Sequence, residues 1–153
     1  MPSIGTLCWI IKDNKVLLKL ANRGVSKDKW NAPGGKAEKN ETPLNCVFRE
    51  VLEETGLKIV KPQYHGKLTF FFGRTKDPDW IVHVFSAKDF LGNLKESEEG
   101  KLEWFDLGKI PFKRMWADDQ YWVPLLLQGK KFDGVFYFDK KGEKIFNFDI
   151  WVR

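Results

Sequence analysis

Three glutamates, Glu50, Glu53 and Glu54, occur within five residues of one another. If this segment is helical, Glu53 and Glu54 lie within about 60° of Glu50 around the axis, so the three carboxylates project together. Each like-charge pair three or four residues apart costs a few tenths of a kcal/mol. The cluster therefore suits a hard cation such as Mg²⁺ or Mn²⁺. The alternative is a solvated acidic helix face, which is the more common outcome for runs of charge.

Arg49 is the only basic side chain within this cluster. It can pair with Glu53, four residues along a helix, or with Glu41 in the preceding loop. One guanidinium cannot neutralise all of these carboxylates. A cation that the cluster requires is therefore missing from the sequence.

The segment that carries the glutamates has helix signals at both ends. Thr42 and Pro43 match an N-cap followed by proline at the first helical position, and Gly56 matches a C-terminal cap. These residues predict a helix over 43–55. Its periodicity predicts a buried stripe, whose members are Leu44, Phe48, Val51, Leu52 and Thr55.

The rest of the chain predicts strands around this helix and a second, shorter helix. The predicted strands are 6–11 and 15–20, which form a hairpin across residues 12–14, then 57–61, 65–73, 80–87 and about 101–107. Residues 22–35 are predicted as a loop, and Asp118 or Asp119 as the start of a helix to Gly129, despite Pro124. The tail, 132–138 and 145–152, is predicted as a hairpin. Without repeats or linkers, residues 1–153 are expected to form a single domain.

The composition bounds the class of protein. A chain of 153 residues with 42% hydrophobic and 15% aromatic residues can build one substantial core, which excludes fibrous and wholly disordered proteins. Cys8 and Cys46 are far apart and lack metal-site spacing, so they are expected to be reduced thiols. No signal peptide or long apolar segment is present in the sequence. We therefore expect a soluble, cytoplasmic protein without a membrane partner.

A longer motif surrounds the glutamates. From Gly35 the chain has five residues, Glu41, seven residues, and then Arg49-Glu50-Val51-Leu52-Glu53-Glu54-Thr55-Gly56-Leu57. This pattern matches every defined position of the Nudix box, G-x5-E-x7-R-E-U-x-E-E-x-G-U, so the chain resembles the Nudix hydrolase family. The segment Trp116-Ala117-Asp118-Asp119 further resembles the MutT-type branch, in particular its mammalian enzymes that hydrolyse oxidised purine nucleoside triphosphates such as 8-oxo-dGTP.

The resemblance implies an α+β fold, an α/β/α sandwich with a central mixed sheet and the Nudix helix packed against it. It also implies metal-assisted attack of water on a phosphoanhydride, giving a monophosphate and pyrophosphate, with Mg²⁺ as cofactor and Mn²⁺ as a possible substitute. The residues that match the metal ligands are Glu50, Glu53, Glu54 and the backbone carbonyl of Gly34 or Gly35. Glu41 and Arg49 match a pair that braces the loop against the helix, and Gly56 completes the motif. A further acid, which acts as metal ligand or base, aligns with Glu99, or with Glu98 as second choice.

The resemblance also implies a base pocket. The matching residues are Asn31, Phe70, Trp116, Asp118 and Asp119. Two adjacent aspartates favour a raised pKa in one of them, hence one donor and one acceptor for a base edge. The alternative is that Asp118 caps the second helix while Trp116 fills the core. Residues 21–25 depart from the family pattern, so base preference stays open.

The distribution of charge narrows the chemical class of partner that the protein is expected to bind. The net charge of +5 favours anionic partners, but residues 36–56 hold five glutamates against Lys36, Lys39 and Arg49, a local charge of −2. An acidic centre in a basic protein suits a purine nucleoside triphosphate bound through metal, steered by surrounding lysines, rather than a nucleic-acid polymer. Such hydrolysis needs no covalent nucleophile, so the cysteines, His65 and His83 are given no catalytic role. Two alternatives remain: a Nudix pyrophosphatase for ADP-ribose or unmodified nucleotides, and a non-catalytic nucleotide- or RNA-binding module. The protein is expected to be a monomer or homodimer.

Overall fold

A computed structural model of the chain describes all residues except Ser97 and Glu99. Glu99, the predicted extra acid, therefore lies outside the described residues. The strands are β1 (Ser3–Lys12), β2 (Lys15–Ala21), β3 (Trp30–Asn31), β4 (Lys58–Val60), β5 (Gln63–Phe72), β6 (Trp80–Ala87), β7 (Asp89–Leu91), β8 (Gly100–Asp106), β9 (Phe132–Phe138) and β10 (Ile145–Val152). The α-helices are α1 (Pro43–Thr55) and α2 (Asp119–Leu127).

The central sheet is mixed and has the strand order β10, β9, β5, β6, β1, β2, β3, with β8 also paired to β2. β1 runs parallel to β6, and β5 runs parallel to β9, while the other neighbours are antiparallel. β4 and β7 form a separate two-stranded sheet. No helix among the described residues is long and apolar enough to span a membrane.

Successive residues of β1 pack alternately into the two buried clusters that cover the two faces of the sheet. Cys8 and Ile10 join the buried cluster that includes Val47 and Val51 of α1. Trp9 joins the cluster of α2, where its ring packs edge-on against Trp122 at 5.8 Å between centroids. Because neighbouring strand residues point to opposite faces, one strand supplies both cores. The predicted α+β sandwich with helices on both faces of a mixed sheet is confirmed.

β1 and β2 pair only next to the turn that joins them and then diverge, which leaves space for the loop after β3. A two-residue turn at Asp13 and Asn14, both with positive φ, pairs the strands only at Ile11 and Lys12. Beyond that point β1 follows β6, and β3 pairs with β2 beside Lys19 and Leu20. The loop after β3 can therefore run along β1, which accepts and donates backbone hydrogen bonds with residues 33–37.

Several boundaries agree with the sequence predictions and others do not. The first helix, the strand 80–87 and the tail hairpin are confirmed, whereas β3 and β7 were not predicted. The second helix ends at Leu127, before Gly129. The stripe predicted on α1 is wrong for Leu44 and Leu52, which are 46% and 51% exposed. α1 instead turns Cys46, Val47 and Glu54 inward, because its buried face must meet both the sheet and the loop after β3.

Candidate active site

Two glycines let the loop after β3 pass between β1 and α1. Gly34 has φ of +154°, and a Cβ there would lie 2.0 Å from the Thr6 carbonyl oxygen. A Cβ at Gly35 would lie 2.5 Å from the Glu50 carboxyl carbon. The Gly35 carbonyl accepts a hydrogen bond from the Thr6 N–H at 2.9 Å. This close packing brings the loop backbone directly against the first of the three clustered glutamates.

Arg49 connects that loop to the acidic face of α1. Its Nε and Nη2 donate to the two carboxylate oxygens of Glu41 at 2.8 and 2.9 Å. Its Nη1 donates to Glu50 at 2.8 Å and to Glu53 at 3.2 Å, and its Nε lies 3.0 Å from Glu38. These hydrogen bonds lower the pKa of Glu41 to about 2 and raise that of Arg49. Both pairings suggested by the sequence, with Glu41 and with Glu53, are therefore present, and the five donors of a planar guanidinium allow Arg49 to contact Glu50 as well.

Glu54 is more deeply buried than the carboxylates that Arg49 contacts. Its side chain is 4% exposed, and its Oε1 accepts a hydrogen bond from the Gly34 N–H at 2.8 Å. Its Oε2 forms an ion pair with the Lys19 ammonium. Burial raises the pKa of Glu54 to about 7, although Lys19 and the Gly34 N–H act in the opposite direction.

Lys19 supplies part of the positive charge that the acidic cluster requires. It comes from β2, 35 residues away in sequence, and sequence reasoning missed it. The available signal was one lysine after the apolar run Val16-Leu17-Leu18 of a predicted strand. Such a position is unfavourable for a charged side chain unless a partner lies nearby.

Arg49 Nη1 contacts both Glu50 and Glu53, so these two carboxylates lie on the same side of the helix, whereas the three glutamates differ in exposure. Glu54 is buried, Glu50 is 17% exposed and Glu53 is 58% exposed. Among the described residues, no group of three or more His, Cys, Asp or Glu side chains is already arranged around a metal position. The donors nevertheless fit a hard divalent cation, because they are carboxylates whose present partners, Lys19 and Arg49, are themselves cations.

A cavity of about 470 Å³ opens beside the glycine loop. All five residues predicted for the base pocket line this cavity: Asn31, Phe70, Trp116, Asp118 and Asp119. Gly34, Gly35 and Lys19 line it as well, so the cavity extends to the loop that packs on the clustered glutamates. Sequence reasoning missed Phe72, Trp80, Lys140 and Lys141, which also contribute to its wall.

Asp118 and Asp119 form a buried acidic pair at this cavity. Asp118 Oδ2 accepts a hydrogen bond from Trp122 Nε1 at 2.7 Å, and the Asp118 side chain makes no helix-capping bond. Burial raises the pKa of Asp118 to about 6, and burial together with Asp118 raises the pKa of Asp119 well above its usual range. Asp119 Oδ2 has no hydrogen-bond partner among the residues that the structure describes. Burial and the proximity of the two carboxyls therefore favour the protonated form in this pair.

Trp116 is half-buried and forms an aromatic wall rather than core alone. Its Nε1 donates to Ser26 Oγ at 3.0 Å, and Lys29 Nζ lies 5.3 Å from its ring centroid. Phe72 packs against it at 6.0 Å between centroids. Asn31 also lines the cavity, and its Oδ1 accepts a hydrogen bond from the Ala32 N–H at 2.9 Å, which orients the amide.

Of the remaining chemical groups, Cys46 lies beside the glycine loop, where its Sγ donates to the Gly35 carbonyl at 3.5 Å. His65 lies within 2.7 Å of both the Lys130 carbonyl and Ser86 Oγ, and His83 pairs with the Tyr64 hydroxyl at 2.8 Å. Cys8 and Cys46 are buried and not bonded to each other. Glu98 is exposed, and its backbone carbonyl accepts a hydrogen bond from Asn22.

Comparison with known proteins identifies the class to which this arrangement belongs. The model of the NUDIX domain family matches residues 1–126. The chain belongs to the Nudix family, and the prediction of a Nudix hydrolase is confirmed. Hydrolases of this family generally use a divalent metal and act on nucleotides.

Particular relatives are similar over most of the chain. The oxidized purine nucleoside triphosphate hydrolases of Danio rerio and Mus musculus are each 43% identical over 134 residues, which cover 87% of this chain and 85% of the relative. A crystal structure of a mutator MutT protein from Bacillus halodurans has a TM-score of 0.86 at 28% identity and covers 97% of both chains.

Proposed function

We propose that this enzyme hydrolyses purine nucleoside triphosphates, oxidised ones such as 8-oxo-dGTP in particular, to the nucleoside monophosphate and pyrophosphate. We further propose Mg²⁺ as its cofactor, with Mn²⁺ as a substitute. The observation that carries the substrate class is the buried Asp118–Asp119 pair, with Oδ2 of Asp119 unpartnered among the described residues and lining the cavity. The likeness to two oxidized purine nucleoside triphosphate hydrolases supports the same assignment.

At the base end, the cavity offers donors, acceptors and ring faces. A protonated carboxyl of the Asp118–Asp119 pair donates to an acceptor on the base edge, and its other oxygen accepts. Asn31 of β3 adds an amide to the lining of the cavity. Phe70 and Trp116 offer ring faces on which a purine stacks. Stacking of a base on one aromatic ring contributes about 1–3 kcal/mol.

At the phosphate end, the residues that would hold the metal are Glu50, Glu53 and Glu54, together with the loop carbonyl of Gly34 or Gly35 and with Glu99. The bound cation would supply charge neutralisation on the phosphate oxygens and would acidify a water molecule. One of the carboxylates, Glu53, Glu54 or Glu99, accepts the proton as the water oxygen bonds to phosphorus and the anhydride oxygen leaves with pyrophosphate. Arg49 is a positioning residue, because its contacts hold Glu50 and Glu53 relative to the loop.

We propose that residues 1–153 act as one domain, as a monomer or homodimer in the cytoplasm, on small molecules rather than on membranes or nucleic-acid polymers. Support comes from β9, which continues the sheet through β5 and carries β10 on its other side. Phe132, Phe136 and Phe138 of β9 join the buried cluster that contains Trp9 of β1 and Trp122 of α2, which supports placing the C-terminal part in the same unit.

The test is a steady-state assay of the full chain with Mg²⁺ and a panel of 8-oxo-dGTP, 2-hydroxy-dATP, unmodified nucleotides, ADP-ribose and NADH. We expect the highest kcat/KM on oxidised purine nucleoside triphosphates, with pyrophosphate as product. Hydrolysis of ADP-ribose or NADH alone would refute the substrate class. Salt-dependent binding of single-stranded RNA without turnover of any nucleotide would favour the non-catalytic alternative.

A matched pair of variants tests the phosphate end. Glu53→Gln keeps the shape of a 58% exposed side chain but removes its charge, so we expect turnover to fall about 100-fold or more with the fold retained. Glu103→Gln on β8, whose side chain is 46% exposed, is the control and should leave kcat unchanged. A Glu53→Gln enzyme with full activity would contradict the proposed role of this carboxylate.

A further inference from the structure

Lys19 connects the two halves of the site. Its ammonium pairs with Glu54 on α1, and its side chain is only 15% exposed. The same side chain lines the cavity that holds the base-pocket residues. On the neighbouring strand its register partner is Asn31. Lys19 therefore lies between the buried carboxylate and the space that a nucleotide would occupy.

The ion pair with Glu54 carries a cost that the fold has not removed. Burying a lysine and a glutamate strips water from both, and the attraction between them often does no more than offset that loss. Glu54 already accepts a hydrogen bond from the Gly34 N–H, so its carboxylate has one partner without Lys19. Holding a lysine here for stability alone is therefore a poor explanation of its position.

A divalent metal and the Lys19 ammonium compete for the same carboxylate. Both are cations, both are attracted to Glu54, and they repel each other at close range. Lysine has a flexible stem of four methylenes, so its ammonium can change partner while its backbone stays in β2. The cavity on its other side is where the phosphate oxygens of a nucleotide would arrive.

We propose that Lys19 is a positioning residue with two alternating partners: the Glu54 carboxylate when metal is absent, and a phosphate oxygen of the nucleotide when metal occupies the carboxylates. The inference rests on the proposed function for its second partner only. Lys36, Lys140 and Lys141 also line the cavity, but they are exposed and face water, so they lack a buried carboxylate to release. Lys19 thus keeps the carboxylate in place for the metal and then contributes its charge to substrate binding.

The experiment compares Lys19→Met with the unaltered protein in two assays. Mn²⁺ binding is measured by electron paramagnetic resonance without nucleotide, and we expect about tenfold tighter binding, because no ammonium has to be displaced. Steady-state kinetics with 8-oxo-dGTP and saturating Mg²⁺ should show KM raised about tenfold with kcat changed less than threefold, because a phosphate contact is lost. Lys19→Arg should restore most of the KM, since it retains the charge.

Lys15→Met is the matched control. Lys15 is on the same strand, but its side chain is 51% exposed and its ion pair with Asp106 is 3.9 Å long. This variant should change neither Mn²⁺ affinity nor KM. Thermal unfolding of all variants monitors the fold.

Opposite shifts in metal affinity and nucleotide KM support the proposal, because a purely structural lysine would not produce them. Weaker or unchanged Mn²⁺ binding in folded Lys19→Met overturns it. If Mn²⁺ binding tightens as expected but the unaltered protein hydrolyses no purine nucleoside triphosphate, the proposed substrate fails and the competition for Glu54 stands. If the unaltered protein hydrolyses 8-oxo-dGTP and Mn²⁺ binding does not tighten, the Lys19 proposal alone fails.

Discussion

Replacement of Asp118 by asparagine tests how the base end of the cavity holds its charge. The Asp118 side chain is buried, and Trp122 Nε1 donates to its Oδ2 at 2.7 Å. Asparagine has nearly the same shape, and its amide oxygen can accept the same hydrogen bond. The substitution therefore removes an ionisable group with little change in packing.

The magnitude follows from the pKa of Asp118, which burial raises from 3.8 to about 6. Below pH 3.8 this aspartate is protonated in both the folded and the unfolded chain and costs nothing. As the pH rises from about 4 to about 6, the unfolded chain loses this proton first, so the folded state loses stability. At roughly 1.4 kcal/mol for each pH unit, the loss reaches about 3 kcal/mol and then levels off. Asparagine has no such dependence.

We therefore expect the free energy of unfolding of Asp118→Asn, relative to that of the unaltered protein, to rise by about 3 kcal/mol from pH 4 to pH 7. Guanidinium unfolding at several pH values measures this difference. For a chain of this size the gain corresponds to about 6–12 °C in Tm. Asp89→Asn, at an exposed position on β7, is the control and should shift stability by less than about 0.5 kcal/mol at every pH. A stability difference between Asp118→Asn and the unaltered protein that does not vary with pH would refute the reasoning.

Two further predictions concern the loop and its brace. Gly34→Ala should destabilise the protein by about 2 kcal/mol or more, because the added Cβ would meet backbone atoms. Gly35→Ala should cost less stability but reduce turnover about 100-fold, because its Cβ would meet the Glu50 carboxyl. Chemical unfolding and kinetics on the same preparations check both variants, and equal losses of stability would contradict this distinction. Arg49→Lys should lower kcat about tenfold with Tm nearly unchanged, because one ammonium cannot hold both Glu41 and Glu50 in their present positions. Full activity of this variant in the same assay would show that the contacts of Arg49 are unnecessary for turnover.

Local signals were sufficient for α1 and for the composition of the acidic cluster. Thr42 accepts from the Asn45 N–H at 3.1 Å, Pro43 follows, and Gly56 has φ of 79°, so both ends of the helix are determined by adjacent residues. The same holds for the tail hairpin, where alternation and one turn define both strands. Interactions within a few residues are readable because chain neighbours stay close whatever the fold.

Adjacency in sequence also predicted the Asp118–Asp119 pair, and the five base-pocket residues were expected because they match one family. Their gathering at one cavity is a tertiary fact, since Asn31 and Asp119 come from elements far apart in the chain. The burial that raises the pKa values of the two aspartates is likewise absent from local sequence, because it depends on the layers packed around them.

The sequence by itself determined the identity and order of the glutamates, the helix that carries them and the family they indicate. Only the tertiary structure decided that Glu54 is buried while Glu53 is exposed, and that Lys19 supplies a cation to the cluster. The physical reason is that side-chain environment depends on which strands pair and which helix face meets the sheet. Lys19 and Glu54 meet because β2 and α1 converge at the glycine loop, and since 35 residues of chain separate them, no sequence neighbour of either residue identifies its partner.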